Sequence, residues 1–417
     1  MLGKCVGVGI LAVALVASVA GTGLAAKTTK TIKIGAVYPL TGDVAPTGQD
    51  CKTGVELALQ IINGKYDINI PYAKTAGIPS LGGAQLKAIF ADSQGSPQTG
   101  MSAAEYLISN KGVKAMVGAY QSSVTKTVSQ VTERMHIPYV CSDSTSPTLT
   151  ERGFKYFFRV NPNDKISAKD QFEFLSAMRK QGKKVDRVAL VYENSEWGSH
   201  VGQQEKLAAK KFGFKVVADV PYSHSTTDVS SEVARIMAAH PDVVMEASYV
   251  SDAILFTKAF KQHNFKPQAF MAMSGHLQND YLKAVGAGAN YFIVRSTFNL
   301  GMAKRIPAIT KVNALYKQRF GHDMSANAVR SFNAPFVLAD AINRAHSTNA
   351  EAVQKALLAT NMSAGIMAWK GIQFNKDHQN KYASFILEQM VKQVYQTVWP
   401  FNAATIKVVW PFPGWGK

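Results

Sequence analysis

Four short segments carry the residues best suited to gripping a small solute. They are Gly118-Ala119-Tyr120-Gln121-Ser122-Ser123, Cys141-Ser142-Asp143-Ser144-Thr145-Ser146-Pro147, Asn194-Ser195-Glu196-Trp197-Gly198 and Ala247-Ser248-Tyr249. The first two are dense in hydroxyls and backbone N–H groups, which together hold a carboxylate without any Arg or Lys. The same residues also suit local work, with Ser122 as a helix cap and Ser146-Pro147 as a turn, and the sequence leaves the two readings level. Trp197 and Tyr249 suit closing over a partly apolar ligand, or else packing in a core. Enzyme chemistry finds little support. There is no G-x-S-x-G elbow, H-E-x-x-H pair or P-loop. Gly286-Ala287-Gly288 precedes a strand rather than a helix and lacks the third glycine of a dinucleotide loop. The nine His include no i, i+4 pair, so no metal site is expected. Glu193 and Glu196 read as surface acids rather than an acid–base pair.

Each of the four segments follows a predicted strand, and the carboxyl ends of strands are where open α/β sheets bind ligands. Strands are expected over Ile32–Tyr38, Leu86–Ala91, Ala115–Gly118 and Ile137–Val140, alternating with helices over Gln49–Asn63, Pro97–Asn110 and Ser123–Glu133. The pattern restarts after Arg159-Val160-Asn161-Pro162. A helix over Ile166–Gln181 leads to strands at Arg187–Tyr192, Lys215–Val220, Val243–Glu246, Ala269–Ala272 and Phe292–Ser296. Between them lie helices over Trp197–Phe212, Asp228–Ala239 and Asp252–Gln262, with a short one near Asp280–Val285. The remaining helices, Pro307–Phe320, Ala326–Arg344 and Ala350–Ala359, do not make a third unit and are expected to pack back on the first. Gly64–Gly83 reads as a loop insertion. Such βα alternation implies mostly parallel sheets with helices on both faces.

With 417 residues, 47% hydrophobic and 18% charged, the chain is globular and long enough for two or three domains. Lys+Arg 46 against Asp+Glu 28 gives a net charge of +18, but the basic residues are scattered. The runs Arg179–Lys184 and Lys210-Lys211 fall where helices end, a place that suits cations, and no nucleic-acid partner is expected. Lys4, the apolar run Val6–Ala20 and the small residues Gly23-Leu24-Ala25 predict an export signal over residues 1–26, cleaved near Ala25 or Ala26. The apolar run is shorter than the ~20 residues of a membrane span. Cys5 leaves with the signal. Cys51 and Cys141 remain, either as a disulfide or, more blandly, as two buried thiols, and they lack the spacing of a zinc or redox motif.

A family resemblance accompanies these features. Ile32-Lys33-Ile34-Gly35, Pro39-Leu40-Thr41-Gly42, Ala45-Pro46-Thr47-Gly48, Gly54, Ala58 and Ile62-Asn63 open it, and Asp92, Pro97, Gly118, Ser122, Ile137-Pro138 and Ser144-Thr145-Ser146-Pro147 continue it. Phe157-Phe158-Arg159, Asp242-Val243-Val244 and Phe374-Asn375 extend it late in the chain. From Ile32 to Val391 the sequence resembles the periplasmic substrate-binding proteins of ABC transporters, of the leucine/isoleucine/valine-binding, type I family. The resemblance implies an α/β fold of two doubly wound, mostly parallel-sheet lobes joined by three hinge crossings, near Asn161–Asn163, Ser296–Thr297 and Tyr382. One lobe would take residues 27–161 plus 298–381, the other 162–297 plus 382–417.

It also implies a periplasmic, monomeric non-enzyme without cofactor, whose partners are a small-molecule ligand and the permease subunits of an ABC importer in the inner membrane. Matched to the family, Ser122 holds the ligand carboxylate, Asp143, Ser144 and Thr145 assist, Trp197 and Tyr249 cover it, and Thr47 reaches in from the first loop. Amino-acid binders of the family hold the ammonium with an acid after Phe270-Met271, where this chain has Ser274. Either Glu246, Asp143 or Asp252 substitutes, or the ligand has no amine. The expected function is delivery of a branched-chain or other hydrophobic amino acid, or a related carboxylate. The alternative is a sensor module for an aromatic or aliphatic carboxylate or amide. The family's usual disulfide has no match in Cys51 or Cys141.

Overall fold

Short apolar runs with β-branched residues and amphipathic segments alternate through the chain, and the computed structural model, which describes residues 1–3 and 30–416, arranges them around two sheets. Most of the expected export signal, including Cys5, lies outside the described residues. The first sheet is built from β1 (Thr31–Tyr38), β2 (Gln85–Asp92), β3 (Ala115–Gly118), β4 (Tyr139–Cys141) and β5 (Phe157–Arg159), in the order β2-β1-β3-β4-β5, all parallel. Its crossovers are α1 (Ala45–Asn63), α2 (Pro97–Ser109) and α3 (Ser122–Arg134).

The second sheet begins after α4 (Asp164–Lys180). Its strands β6 (Arg187–Glu193), β7 (Lys215–Tyr222), β8 (Val243–Ser248), β9 (Ala269–Ser274) and β10 (Ile293–Ser296) alternate with α5 (Glu196–Phe212), α6 (Ser230–Ala238), α7 (Val250–Gln262) and α8 (Asn279–Val285). The chain then runs through α9 (Ala308–Phe320), α10 (Ala326–Ala345), α11 (Ala350–Leu358) and the small pair β11 (Met362–Ser363) and β12 (Gly371–Ile372). It returns to the second sheet as β13 (Ile386–Val391) and β14 (Val394–Trp399), giving the order β14-β13-β10-β9-β8-β6-β7. β13 is antiparallel to both neighbours; the other pairings are parallel.

Local chemistry sets the element ends. The Ser96 hydroxyl accepts from Thr99 N at 3.2 Å and Asn163 Oδ1 from Ile166 N at 3.0 Å, capping α2 and α4. α1 starts at Ala45, earlier than the expected Gln49, because Pro46 fits the first turn of a helix, where no N–H bond is needed. The basic runs do sit at helix ends, with Arg179 and Lys180 in the last turn of α4 and Lys210 and Lys211 in that of α5. As expected, a late helix returns to the first unit: α10 lies along α1. Gly54 permits the approach, since a Cβ there would stand 2.0 Å from the Ala328 carbonyl oxygen. The sequence pattern had not revealed β5, β13 and β14. The β13–β14 turn is Lys392-Gln393, both at positive φ (51° and 61°), without the Gly, Asn or Asp that normally signals such a hairpin.

Cys51 and Cys141 are both buried and free, so the disulfide left open by the sequence is not formed. Among the described residues, no helix is long and apolar enough to cross a membrane.

Candidate ligand-binding site

The carboxyl ends of strands from both sheets converge on one small cavity. The first sheet contributes Tyr120 and Ser122 from the β3–α3 turn and Asp143, Ser144 and Thr145 from the loop after β4. The second sheet contributes Trp197 at the start of α5, Tyr249 just after β8 and Ser274 at the end of β9. The enclosed volume is about 20 Å³, room for roughly one water. Thr47, in the first turn of α1, is buried close to Tyr120; burial raises the pKa of the Tyr120 phenol, and the Thr47 hydroxyl helps to lower it. Larger cavities exist, one of about 630 Å³ near Asp50, Asp280 and His322 and one of about 270 Å³ near Phe298, Glu388 and Tyr395. Neither gathers hydroxyls and aromatic rings from the strand ends, so the smaller cavity is the candidate site.

Hydrogen bonding separates the residues free to meet a ligand from those already committed. Gln121 takes the N-cap position of α3 without a side-chain capping bond, so Ser122 is not the cap; among the described residues its hydroxyl oxygen accepts from Ser146 N, at 3.3 Å. Thr145 Oγ1 has no hydrogen-bond partner among the described residues. Ser144 is committed, with its hydroxyl 2.5 Å from Thr125 Oγ1 and donating to the Ala119 carbonyl at 2.9 Å. Asp143 is committed as well: its carboxylate accepts from the hydroxyls of Ser142 and Ser331 at 3.0 Å and of Tyr38 at 3.4 Å. Burial pushes its pKa up, and the nearby Arg330 guanidinium opposes that.

Three rings pack in tilted pairs across the gap between the sheets: Trp197 to Tyr249 at 4.9 Å and 45°, and Tyr249 to Tyr120 at 5.8 Å and 58°, between centroids and ring planes. The Tyr120 hydroxyl lies 2.5 Å from Ser274 Oγ, joining the two sides, and burial pushes its pKa up to about 12. Ser274 sits at φ 61°, ψ −91°, a conformation L residues rarely adopt, which here coincides with the site.

Among the candidate amine anchors, Glu246 and Asp252 are not at the cavity. Glu246 projects from the face of β8 opposite to Met245 and Ala247, and its carboxylate lies 3.6 Å from His276 Nε2 in the interior of the second sheet's layer. Asp252 accepts from the Tyr222 hydroxyl and is bonded to His224 Nδ1, both at 3.3 Å. A strand's two-residue period sends adjacent side chains to opposite faces, and position along the strand alone did not say which face Glu246 takes.

The acids near the β6 end are not the surface acids expected. Glu193 is fully buried and accepts from Ser195 N at 2.6 Å and Gly198 N at 2.7 Å, holding the loop that carries Trp197. Glu196 bridges the two sides. It pairs with Lys126 at 2.8 Å and accepts from Thr148 Oγ1 at 2.8 Å and Ser146 Oγ at 3.2 Å, with His200 Nε2 3.3 Å away. Burial alone would raise its pKa, but the bonds from Lys126 and Thr148 outweigh that and hold it below the usual range.

Sequence reasoning missed Tyr120 and two cations, Arg295 on β10 and Arg330 on α10, which also line the cavity. The hydroxyl-rich wall read from the sequence is therefore accompanied by two arginines. Tyr120 stood in a segment already singled out, whereas neither arginine falls in a strand-end loop or any motif. Among the described residues, no group of three or more His, Cys, Asp or Glu is placed to hold a metal.

Comparisons agree with this architecture. The family pattern described as periplasmic binding protein matches residues 31–392. The Leu/Ile/Val-binding protein homolog 7 of Brucella suis is 28% identical over 418 residues, spanning 96% of this chain and 99% of its own. Among solved structures, the branched-chain amino acid transporter substrate binding protein LivJ of Streptococcus pneumoniae, in complex with isoleucine, has a TM-score of 0.76 at 19% identity, covering 92% of this chain and 100% of its own. An ABC-transporter solute binding protein of R. palustris, in complex with benzoate, has a TM-score of 0.74 at 17% identity, covering 88% and 95%. With the family pattern running from β1 to the end of β13, the chain belongs to the periplasmic binding protein family.

Proposed function

We propose that this protein is an exported solute-binding protein that closes two lobes around a small organic solute and delivers it to the permease subunits of an ABC importer in the inner membrane. One lobe comprises residues 27–161 with 298–381, the other 162–297 with 382–417. The supporting observation is the convergence of hydroxyls from one sheet and aromatic rings from the other on a single buried cavity. Ser122 and Thr145 would bind the solute first, and Trp197 and Tyr249 would complete the enclosure. The closed population then rises only by the solute's higher affinity for that state. Two neighbours, one with isoleucine and one with benzoate, bracket the solute class as a branched-chain amino acid or a small carboxylate. The family role is binding, so the solute is expected to be recovered unchanged after incubation.

Thermal unfolding of refolded, ligand-stripped protein tests this reading. A solute at 1,000 times its Kd should stabilise by ~4 kcal/mol, a rise in Tm of roughly five degrees. Trp197→Ala and Ser122→Ala should each weaken binding while the unliganded protein still unfolds cooperatively; unchanged affinity in both would refute the site.

Glu196 offers a second test, because its bonds to Lys126, Ser146 and Thr148 exist only when the lobes are together. Glu196→Gln should weaken solute binding about threefold at low salt, with the difference shrinking as salt rises. Isothermal titration at two ionic strengths reads this out, and equal affinities at low salt would show that the bridge does not favour closure.

A further inference from the structure

The unpartnered charge at the cavity points to the chemistry of the solute. Resting on the solute-binding reading above, we propose that the solute is an amine-free carboxylate whose anionic head is bound by the guanidinium of Arg330. Arg330 is 7% exposed and lines the cavity. Its Nη2 donates to Asn327 Oδ1, its Nε is buried without an acceptor, and among the described residues no acid forms an ion pair with it. The guanidinium lies near Asp143 but makes no direct ion pair with it, and a cation kept from water without one is costly, so a ligand anion is the natural complement. Its fork matches a carboxylate bidentately, and the free donor capacity of Ser122 and Thr145 suits the remaining lone pairs.

The other charges at the wall are already matched. Arg295 pairs with Asp164 at 3.0 Å and lies over the Phe385 ring. Asp143, the acid of the wall, has its oxygens occupied by Ser142, Ser331 and Tyr38. An ammonium in this cavity would meet two guanidiniums and no carboxylate with a free face. A branched or aromatic body, in contrast, would meet the rings of Tyr120, Trp197 and Tyr249 once the lobes part to admit it. The same wall that attracts a carboxylate therefore rejects the zwitterion built on the same skeleton.

Titration calorimetry of the refolded mature chain tests this with matched sets. One set is 4-methylpentanoate, leucine and 4-methylpentanamide; the other is 3-phenylpropanoate, phenylalanine and 3-phenylpropanamide. In at least one set the acid should bind at least about tenfold more tightly than its amino acid and its amide. Arg330→Met should weaken acid binding by roughly 30-fold and change amide binding by less than about threefold, with Arg330→Lys in between. The unfolding midpoint of each unliganded variant checks that it is folded.

Tighter binding of the amino acids, an equal loss for acid and amide in Arg330→Met, or no binding by any acid would each overturn the assignment. If amino acids bind and Trp197→Ala or Ser122→Ala abolishes that binding, the solute-binding reading survives while this inference falls.

Discussion

Arg159→Met is expected to lower the stability of the unliganded protein by about 3 kcal/mol and its Tm by roughly 3–5 °C. Arg159 is fully buried, and its guanidinium faces oxygens rather than a paired acid. Nε donates to Gln379 Oε1 at 2.7 Å, Nη1 to the Ser146 carbonyl at 2.5 Å and Nη2 to Thr150 Oγ1 at 3.2 Å. Burial lowers its pKa to about 10, so it remains charged at neutral pH. Replacing a buried ion pair by apolar groups can be neutral. Here, however, the acceptors would stay in place without donors, and that desolvation cost decides the sign.

The loss would reach beyond one residue. Gln379 also donates to the Asn161 carbonyl at 2.7 Å, so Arg159 ties the Ser144–Thr150 loop of the site to two of the three proposed crossings. Solute affinity should fall together with Tm. Calorimetry of wild type and variant checks this, and a Tm change under about 2 °C would mean that the loop holds its shape without the guanidinium.

Stability should also decline as pH rises from about 5 to 8, and two acids carry most of the decline. Glu205 on α5 and Glu388 on β13 are buried, and desolvation raises the pKa of each to about 8 from an ordinary 4.5. Arg295 opposes the shift at Glu205 while Asp164 and Asp219 reinforce it; bonds from Asn299 and Ser296 oppose it at Glu388. Between 4.5 and 8 the folded chain keeps a proton on each that the unfolded chain has released. Unfolding there releases protons, so stability is full below pH 4.5, falls through the window and levels off above about 8. Each group contributes a slope of at most about 1.4 kcal/mol per pH unit. Asp170, raised to about 6 by burial, adds to the lower part of the window. Urea unfolding at several pH values should show the decline, and Glu205→Gln with Glu388→Gln should flatten it. An unchanged slope in the double variant would assign the decline to other groups.

The lining of the candidate site was largely legible in the sequence where residue type and strand position agreed. Ser122, Thr145, Trp197 and Tyr249 each follow a strand whose apolar pattern was plain, and open α/β sheets place ligands at such ends. Arg330 was not legible, because an arginine within a helical segment ordinarily faces solvent, and only the packing of α10 against α1 turns that residue inward. Arg295 was hidden in the same way, as one charge in a strand whose partner Asp164 lies far away in sequence. Glu193 and Glu196 were misread as surface acids because their partners come from a returning turn and from the opposite sheet. The fold followed the same rule: parallel units announce themselves by alternation, whereas β13 and β14 join the second sheet through a turn that carries no signature residue.

The contact of Gly54 with Ala328 has a consequence for how the chain acquires its shape. The apolar side of α1, with Val55, Ala58, Ile61 and Ile62, is sealed by a helix that lies near the far end of the polypeptide. During synthesis all five strands of the first sheet are made long before their cover exists, and contacts so distant in sequence form slowly. A nascent chain ending near residue 300 would therefore hold an open hydrophobic surface that attracts chaperones and other chains. Slow closure of this kind would suit the proposed export, in which the polypeptide is threaded through a membrane before it folds.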